Sequence, residues 1–243
     1  MVSQPTKLEY LEQMHKLEGT AKVLEVLEVE QGKHAVILDS TILYAQGGGQ
    51  PSDKGMLEGK HSTFSVEQVR FKDGLVYHTG IFSGSPFKLL EEVKIKVDPE
   101  IRKLHSRLHT AGHVIDVALR NLGLEFVPTK GFHFPEGPYV EYQGTIPQET
   151  REQLVSKLES EANHLIQEGF EVKSMFVPRE KLQDLCYDVP SHMPDKPSRV
   201  VIVAGPLGCP CGGTHVKNIK EIGQLSITKI KNVSGSVRVS YMC

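Results

Sequence analysis

Polar and apolar residues alternate in short runs over the first hundred residues. Two β-branched runs flank Gln31-Gly32-Lys33, and residues 63–70 and 75–79 flank Lys72-Asp73-Gly74. Alternating runs joined by such turn residues predict β-hairpins, and Glu92–Val97 alternates as a further strand. Several short strands linked by turns indicate a small β-barrel or sandwich in this part of the chain.

The pattern becomes helical at Asp98, which can cap a helix that starts with Pro99 and stops at Gly123. A second helix is predicted over residues 149–168, and strands over residues 126–134, 137–144, 170–177, 200–204 and a hairpin at 219–241. We therefore predict an α+β fold with a β-barrel-like domain over residues 1–97 and an α+β domain over 98–243. The aliphatic stripe of the first helix recurs every three or four residues: Leu104, Leu108, Ala111, Ile115, Ala118 and Leu122.

Composition narrows the class of protein. The 243 residues carry a net charge of −2 with 39% hydrophobic residues, which excludes a globally basic nucleic-acid coat and an acidic disordered tail. No run approaches the ~18 apolar residues of a membrane span. Four cysteines are too few for a disulfide framework, and the first residues lack a secretory apolar region, so we expect a cytoplasmic protein. A weak basic stripe lies near the C-terminal end: Lys217, Lys220, Lys229, Lys231 and Arg238.

Two pairs of potential metal ligands carry the strongest chemical signal. On the first helix, His109 and His113 are four residues apart, so both imidazoles lie on one face, one turn apart. Cys211 and His215 have the same spacing in Cys-Gly-Gly-Thr-His. Thiolate and imidazole together suit Zn²⁺. Asp116 lies on the histidine face and could orient one ring.

The residues around these pairs resemble a known family. Arg107-Leu-His-Thr-Ala-Gly-His113, Cys211-Gly-Gly-Thr-His215-Val and Glu221-Ile-Gly223 resemble the editing domain of alanyl-tRNA synthetases. Residues 44–55, which contain Gly47-Gly48-Gly49, resemble the glycine-rich stretch that precedes that domain. The chain resembles the freestanding AlaX group of that family, in its longer form, over roughly residues 20–241.

The resemblance implies an aminoacyl-tRNA hydrolase that acts in trans. Its partner would be tRNA(Ala) mischarged with serine, or in some members glycine, and we expect neither a membrane nor DNA as a partner. His109, His113, Cys211 and His215 would surround one Zn²⁺ per chain. Because four protein ligands describe a closed structural site and catalysis needs an open position, a catalytic and a structural role for the metal both stay open.

Three further residues are candidates for catalysis. Thr129 is placed where related domains carry a hydroxyl that recognises serine, although a plain turn residue is an alternative interpretation. Gly48 and Gln50 lie in the glycine motif, which we expect to face the editing pocket. Cys209 replaces the usual acidic residue before Cys-Gly-Gly-Thr-His, so its thiol could compete with Cys211.

Two other functions remain as alternatives to alanyl-tRNA editing. A threonyl-type editing domain for Ser-tRNA(Thr) shares the two ligand pairs, and a zinc-stabilised tRNA-binding adaptor could lack hydrolysis. An unrelated zinc peptidase is disfavoured, because the segment His109-Thr-Ala-Gly-His113 lacks the glutamate that such enzymes use as a general base.

Overall fold

The computed structural model describes residues 4–189 and 198–243, and the chain divides into two compact units. The first unit runs to Gly47 and resumes over Pro51–Leu104, while the second combines Gly48–Gln50 with His105–Cys243. The expected mixed α+β fold is confirmed. The domain boundary between residues 97 and 98 stays a prediction. Within the described residues, no helix is long and apolar enough to cross a membrane.

The first unit contains a closed six-stranded barrel. Its strands follow the order β2-β3-β7-β6-β5-β8, and the turn of the β6–β7 hairpin uses Asp73 and Gly74 at positive φ, as a two-residue turn requires. The predicted barrel is therefore confirmed in preference to a sandwich. The strands of this unit are β1 (Lys7–Leu8), β2 (Glu18–Glu30), β3 (Lys33–Leu38), β4 (Ser40–Thr41), β5 (Gly55–Glu58), β6 (Thr63–Lys72), β7 (Leu75–Ser83) and β8 (Glu92–Val97).

A buried ion pair anchors the loop that follows β4. The guanidinium of Arg102 pairs with the carboxylate of Asp53, and the same guanidinium donates to the carbonyl oxygens of Met14 at 2.6 Å and Ile42 at 2.7 Å. Asp53 also accepts the Tyr44 backbone N–H at 2.6 Å. Because both charged groups have several hydrogen-bond partners, their burial is compensated.

Helix α1 spans Pro99–Asn121, as the periodicity predicted. The Asp98 carboxylate accepts the backbone N–H groups of Glu100 and Ile101, both at 3.0 Å, and so caps the helix. The four central residues of the predicted stripe are buried: Leu108, Ala111, Ile115 and Ala118. The histidines of the helix lie on another face.

Over its described residues, the second unit contains two sheets and, besides its part of α1, two α-helices. The elements are β9 (Pro128–Phe132), β10 (Tyr139–Gln143), α2 (Arg151–Glu168), β11 (Lys173–Val177), α3 (Leu182–Leu185), β12 (Ser198–Ile202), β13 (Cys209–Pro210), β14 (Ser226–Val233) and β15 (Ser236–Met242). The four-stranded sheet has the order β14-β15-β10-β9, and the three-stranded sheet has the order β11-β12-β13.

Several predicted strand boundaries differ from the structure by two or three residues, and the start of the C-terminal hairpin differs most. The C-terminal hairpin begins at Ser226 and not at residue 219, because Ile219–Ile222 forms a short 3₁₀ helix. Asn218 accepts the Lys220 N–H, and Glu221 accepts the Asn218 N–H, so a capping box stabilises this turn. Local side-chain hydrogen bonds thus competed successfully with the strand pattern.

Candidate metal centre

The two predicted ligand pairs meet in the second unit. One ligand atom from each of His109, His113, Cys211 and His215 lies within 4.8 Å of the others. The Cys211 Sγ atom is 3.6 Å from His109 Nε2 and 3.4 Å from His215 Nε2. Helix α1 supplies two imidazoles one turn apart, and the loop after β13 supplies the thiol and the third imidazole. This cluster could hold one metal ion.

Gln50 fixes the tautomer of His109. Its Oε1 accepts the Thr214 backbone N–H at 3.0 Å, and its Nε2 donates to Thr214 Oγ1 at 2.8 Å, so the orientation of the amide is defined. The same Oε1 lies 2.7 Å from His109 Nδ1. Because a carbonyl oxygen only accepts, Nδ1 carries the proton and the lone pair is on Nε2, which points to Cys211.

Thr110 fixes the tautomer of His215. The Thr110 hydroxyl donates to the Ser106 carbonyl at 2.6 Å, so its oxygen accepts from His215 Nδ1 at 3.2 Å. The Val216 N–H also donates to that oxygen, at 3.3 Å. His215 therefore carries its proton on Nδ1 and presents the lone pair of Nε2 towards the cluster.

The third imidazole, His113, is held by a carboxylate. Asp116 Oδ2 lies 3.3 Å from His113 Nδ1, which confirms the predicted pairing, and Asp116 also accepts from the hydroxyls of Tyr142 at 2.6 Å and Tyr187 at 3.2 Å. Burial acts to lower the pKa of His113, but the charge of Cys209 and the hydrogen bond to Asp116 raise it well above its usual range overall. Asp116 is thus a carboxylate partner of the kind that metal-bound histidines have.

Cys211 lies where its thiolate is favoured. Burial acts to raise the pKa of Cys211, but His113, the Gly213 backbone N–H and the Arg199 charge lower it below its ordinary value. Arg199 also donates to the carbonyl oxygens of Cys211 at 2.9 Å and Gly213 at 2.8 Å, which fixes the loop. A thiolate is the form of cysteine that binds metal.

Packing around His109 requires glycine at position 213. A methyl group there would overlap the His109 ring and would lie 2.7 Å from Gln50 Oε1. The pKa of His109 also falls well below its usual range because of burial and the neighbouring His133, His215 and His113. The imidazole is therefore neutral, as a metal ligand must be.

The predicted catalytic residues lie in different places. Gln50 is fully buried and hydrogen-bonds to His109 of the cluster. Gly48 is exposed, with φ of 53° and open space where a side chain would extend. Thr129 is exposed on β9, where its hydroxyl donates to the Glu141 carbonyl at 3.1 Å. Cys209 Sγ lies 3.4 Å from His113 Nδ1 and is outside the four-residue cluster.

Sequence reasoning missed His133. Its ring is stacked on that of His109, with centroids 4.6 Å apart and planes 21° apart. Tyr241 donates to the Leu108 carbonyl at 2.8 Å and accepts from His133 Nδ1 at 2.7 Å, and burial lowers the pKa of His133 to about 3. A single histidine far along the chain from either ligand pair gives no local signal. Its neutral ring forms one wall of the cluster.

The donor set fits a borderline-soft divalent ion. It consists of one thiol with a lowered pKa and three imidazoles, of which two have tautomers set by acceptors that lie away from the cluster. Nitrogen and thiolate donors within a few ångströms of one another are what such ions prefer, whereas Mg²⁺ and Ca²⁺ select oxygen. The chemistry of these four residues therefore agrees with metal binding.

Comparison with known proteins gives the family. The family described as tRNA synthetases class II (A) matches residues 4–101, and the threonyl and alanyl tRNA synthetase second additional domain matches residues 199–238. The alanyl-tRNA editing protein AlaX-M of Pyrococcus horikoshii is 30% identical over 240 residues, which cover 96% of this chain and 94% of that protein. The chain belongs to the alanyl-tRNA editing protein family.

Other members and relatives differ in length. AlaX-L of the same organism is 28% identical over 242 residues, and the aligned region spans 57% of it. The alanine–tRNA ligase of Korarchaeum cryptofilum is 31% identical over 245 residues, which cover 98% of this chain and 26% of the ligase. The chain therefore spans little more than half of AlaX-L and about a quarter of the ligase.

Proposed function

We propose that this protein is a hydrolase that deacylates mischarged tRNA(Ala) in trans, chiefly when serine is attached and also when glycine is. The observation that carries the proposal is the four-residue cluster at His109, His113, Cys211 and His215 in a member of the alanyl-tRNA editing family. A synthetase pocket for alanine discriminates poorly against amino acids that differ by one small group, so a second hydrolytic site is useful.

The four clustered residues would hold one Zn²⁺. Bound there with one coordination position open to water or substrate, the ion would supply Lewis acidity for hydrolysis of an ester, whereas with all four ligands in place it would hold the site in shape. Gln50 and Thr110 keep Nδ1 protonated on His109 and His215, and Asp116 orients His113. The Gly213 backbone N–H donates to Cys211 Sγ at 3.4 Å and favours its thiolate.

Recognition of serine is assigned to a hydroxyl. The Thr129 hydroxyl would donate a hydrogen bond to the serine hydroxyl or accept one from it, whereas the methyl group of alanine can do neither. In the described structure the Thr129 hydroxyl bonds to a carbonyl of the neighbouring strand, so it would exchange that bond for one to the substrate.

Deacylation assays test the reaction. Ser-tRNA(Ala), Gly-tRNA(Ala), Ala-tRNA(Ala) and Ser-tRNA(Thr) are incubated with the purified protein, whose zinc content is measured by atomic absorption. We expect about one zinc per chain and release of serine from tRNA(Ala) much faster than release of alanine. Turnover of Ser-tRNA(Thr) in preference would favour threonyl-type editing, and the absence of turnover above spontaneous hydrolysis would favour an adaptor.

A pair of cysteine variants tests the ligand assignment. Cys211→Ala is expected to lose both the metal and the activity, because it removes the one thiolate of the cluster. Cys243→Ala is the matched control, since Cys243 is a half-buried thiol outside the cluster. Full retention of zinc and activity in Cys211→Ala would refute the assignment.

A further inference from the structure

The four-stranded sheet of the second unit has an outer face rich in aromatic and basic residues. Along β10 and β15 the side chains alternate, so Val140, Tyr142, Val237 and Val239 are buried and their neighbours point outward. Strand pairing aligns the outward residues in two rows. One row is Lys229, Ser240, Tyr139 and Phe132, and the other is Lys231, Arg238, Glu141 and Lys130.

Planar groups are stacked along this face. Arg238 Cζ lies 4.0 Å from the centroid of the Tyr139 ring. The Tyr139 and Phe132 rings are 5.1 Å apart with planes 16° apart, and the Phe132 and Phe134 rings are 4.5 Å apart with planes 17° apart. In the described chain, Phe132 is the only aromatic ring stacked on Phe134. A further planar group placed on Phe134 would extend the column.

The charge of the face is positive. Four cations, Lys130, Lys229, Lys231 and Arg238, share it with one carboxylate, Glu141. Arg238 already pairs with that carboxylate at 2.6 Å, and among the residues that the structure describes the three lysines form no ion pair. Cations without a carboxylate partner are available to phosphates.

The column lies beside the metal centre. Phe132 and Phe134 are half-exposed, whereas His133 between them is buried against His109. Strand β9 is at the edge of the sheet. At the end of β9 and just beyond it, consecutive side chains thus alternate between the aromatic column and the wall of the cluster.

We propose that this face stacks the bases of a single-stranded RNA end, with Phe134, Phe132 and Tyr139 as the stacking column and Lys130, Lys229 and Lys231 as phosphate contacts. Aromatic rings on an open sheet that alternate with cations are what single-stranded RNA binds. A second copy of the chain would bring the same positive charge to the face and be repelled. The inference rests on the proposed function, in which the RNA is the acceptor end of tRNA.

Fluorescence anisotropy with a short single-stranded RNA that ends in CCA tests this directly, without any hydrolysis. Phe134→Ala is expected to bind about tenfold more weakly, which is the loss of one stacked base. Phe134→Leu keeps apolar bulk without the aromatic ring and is expected to bind as weakly. Lys130→Glu is expected to lower the slope of log Kd against log salt by about 0.7 for each lost phosphate contact.

Two residues on β11 provide matched controls. Phe176 is an aromatic side chain that is 48% exposed, and Lys173 is an exposed lysine on the same strand. Phe176→Ala and Lys173→Glu are expected to bind RNA within about twofold of the unchanged protein, because neither lies on the proposed face. Zinc content and circular dichroism, measured on every variant, show that each is folded.

The outcomes separate this inference from the proposed function. Weaker RNA binding by Phe134→Ala and Phe134→Leu supports the stacking face even if serine is not released from tRNA(Ala). If serine is released but both variants keep the RNA affinity and KM of the unchanged protein, the stacking face is refuted and the proposed function stands. Equal competition by a blunt RNA duplex or by an acidic peptide, or self-association that Phe134→Ala abolishes, would also refute it.

Discussion

Replacing Gln50 is expected to weaken the metal centre without removing a ligand. Gln50→Leu leaves two buried donors without their acceptor, the N–H of Thr214 and Nδ1–H of His109. Each unsatisfied donor costs about 1–3 kcal/mol, so the free energy of unfolding of the metal-free protein should fall by about 2–6 kcal/mol. Loss of such a hydrogen-bond partner lowers metal affinity about 10–100-fold.

A carboxylate at the same position separates hydrogen bonding from packing. Gln50→Glu can still accept from both donors, and the Thr214 hydroxyl, which also bonds Ser106 Oγ at 2.8 Å, can rotate to donate to it. We therefore expect Gln50→Glu to bind metal more tightly than Gln50→Leu. The exposed Gln224 provides the control variant Gln224→Leu, whose affinity should not change.

Competition with a chromophoric chelator measures the affinity, and urea unfolding of the metal-free protein measures the stability. The prediction holds if the order of affinity is unchanged protein, then Gln50→Glu, then Gln50→Leu. A folded Gln50→Leu protein that binds zinc as tightly as the unchanged protein would show that Gln50 does not position His109.

Three further predictions concern stability, each measured by urea unfolding. Arg102→Met leaves the buried Asp53 carboxylate without its cation and is expected to cost about 3–5 kcal/mol, whereas an unchanged stability would contradict this. Burial lowers the pKa of His78 from 6.5 to about 4, so the unfolded chain binds the proton more readily than the folded protein. The free energy of unfolding should therefore fall by up to about 3 kcal/mol as the pH drops from above 6.5 to about 4. His78→Gln should flatten this pH dependence. Gly49→Ala is expected to destabilise the protein by more than Gly48→Ala, because both have positive φ but only position 49 places the new methyl group against a backbone carbonyl.

The sequence was sufficient for features that depend on local spacing. His109 and His113 are one helical turn apart, and Cys211 and His215 share one short loop, so each pair could be found from its own segment. Hairpins, the long helix and the cap at Asp98 were predicted on the same basis. The predicted start of the last hairpin was wrong, because the capping box at residues 218–221 is also a local signal and was stronger than the strand pattern.

Some residues contact the cluster from distant parts of the chain, and their roles could not be predicted from the sequence. Gln50 lies 59 residues before His109, and its hydrogen bonds depend on the fold that brings them together. His133 and Arg199 lie in strand or loop segments whose pattern gives no sign of a buried imidazole or guanidinium beside the site. Thr110 and Thr214, in contrast, lie inside the two motifs, where a hydroxyl next to a ligand was available as a signal. The role of Thr129 in serine recognition stays a prediction.

The second unit is not one continuous stretch of sequence, because it includes Gly48–Gln50. A gene fragment that encodes only residues 98–243 would keep the four clustered side chains, yet it would omit the amide that orders His109. The metal centre therefore cannot be transferred to another protein as one continuous segment. Any chimaera that carries this centre on another protein has to restore the tripeptide Gly48-Gly49-Gln50 as a separate segment.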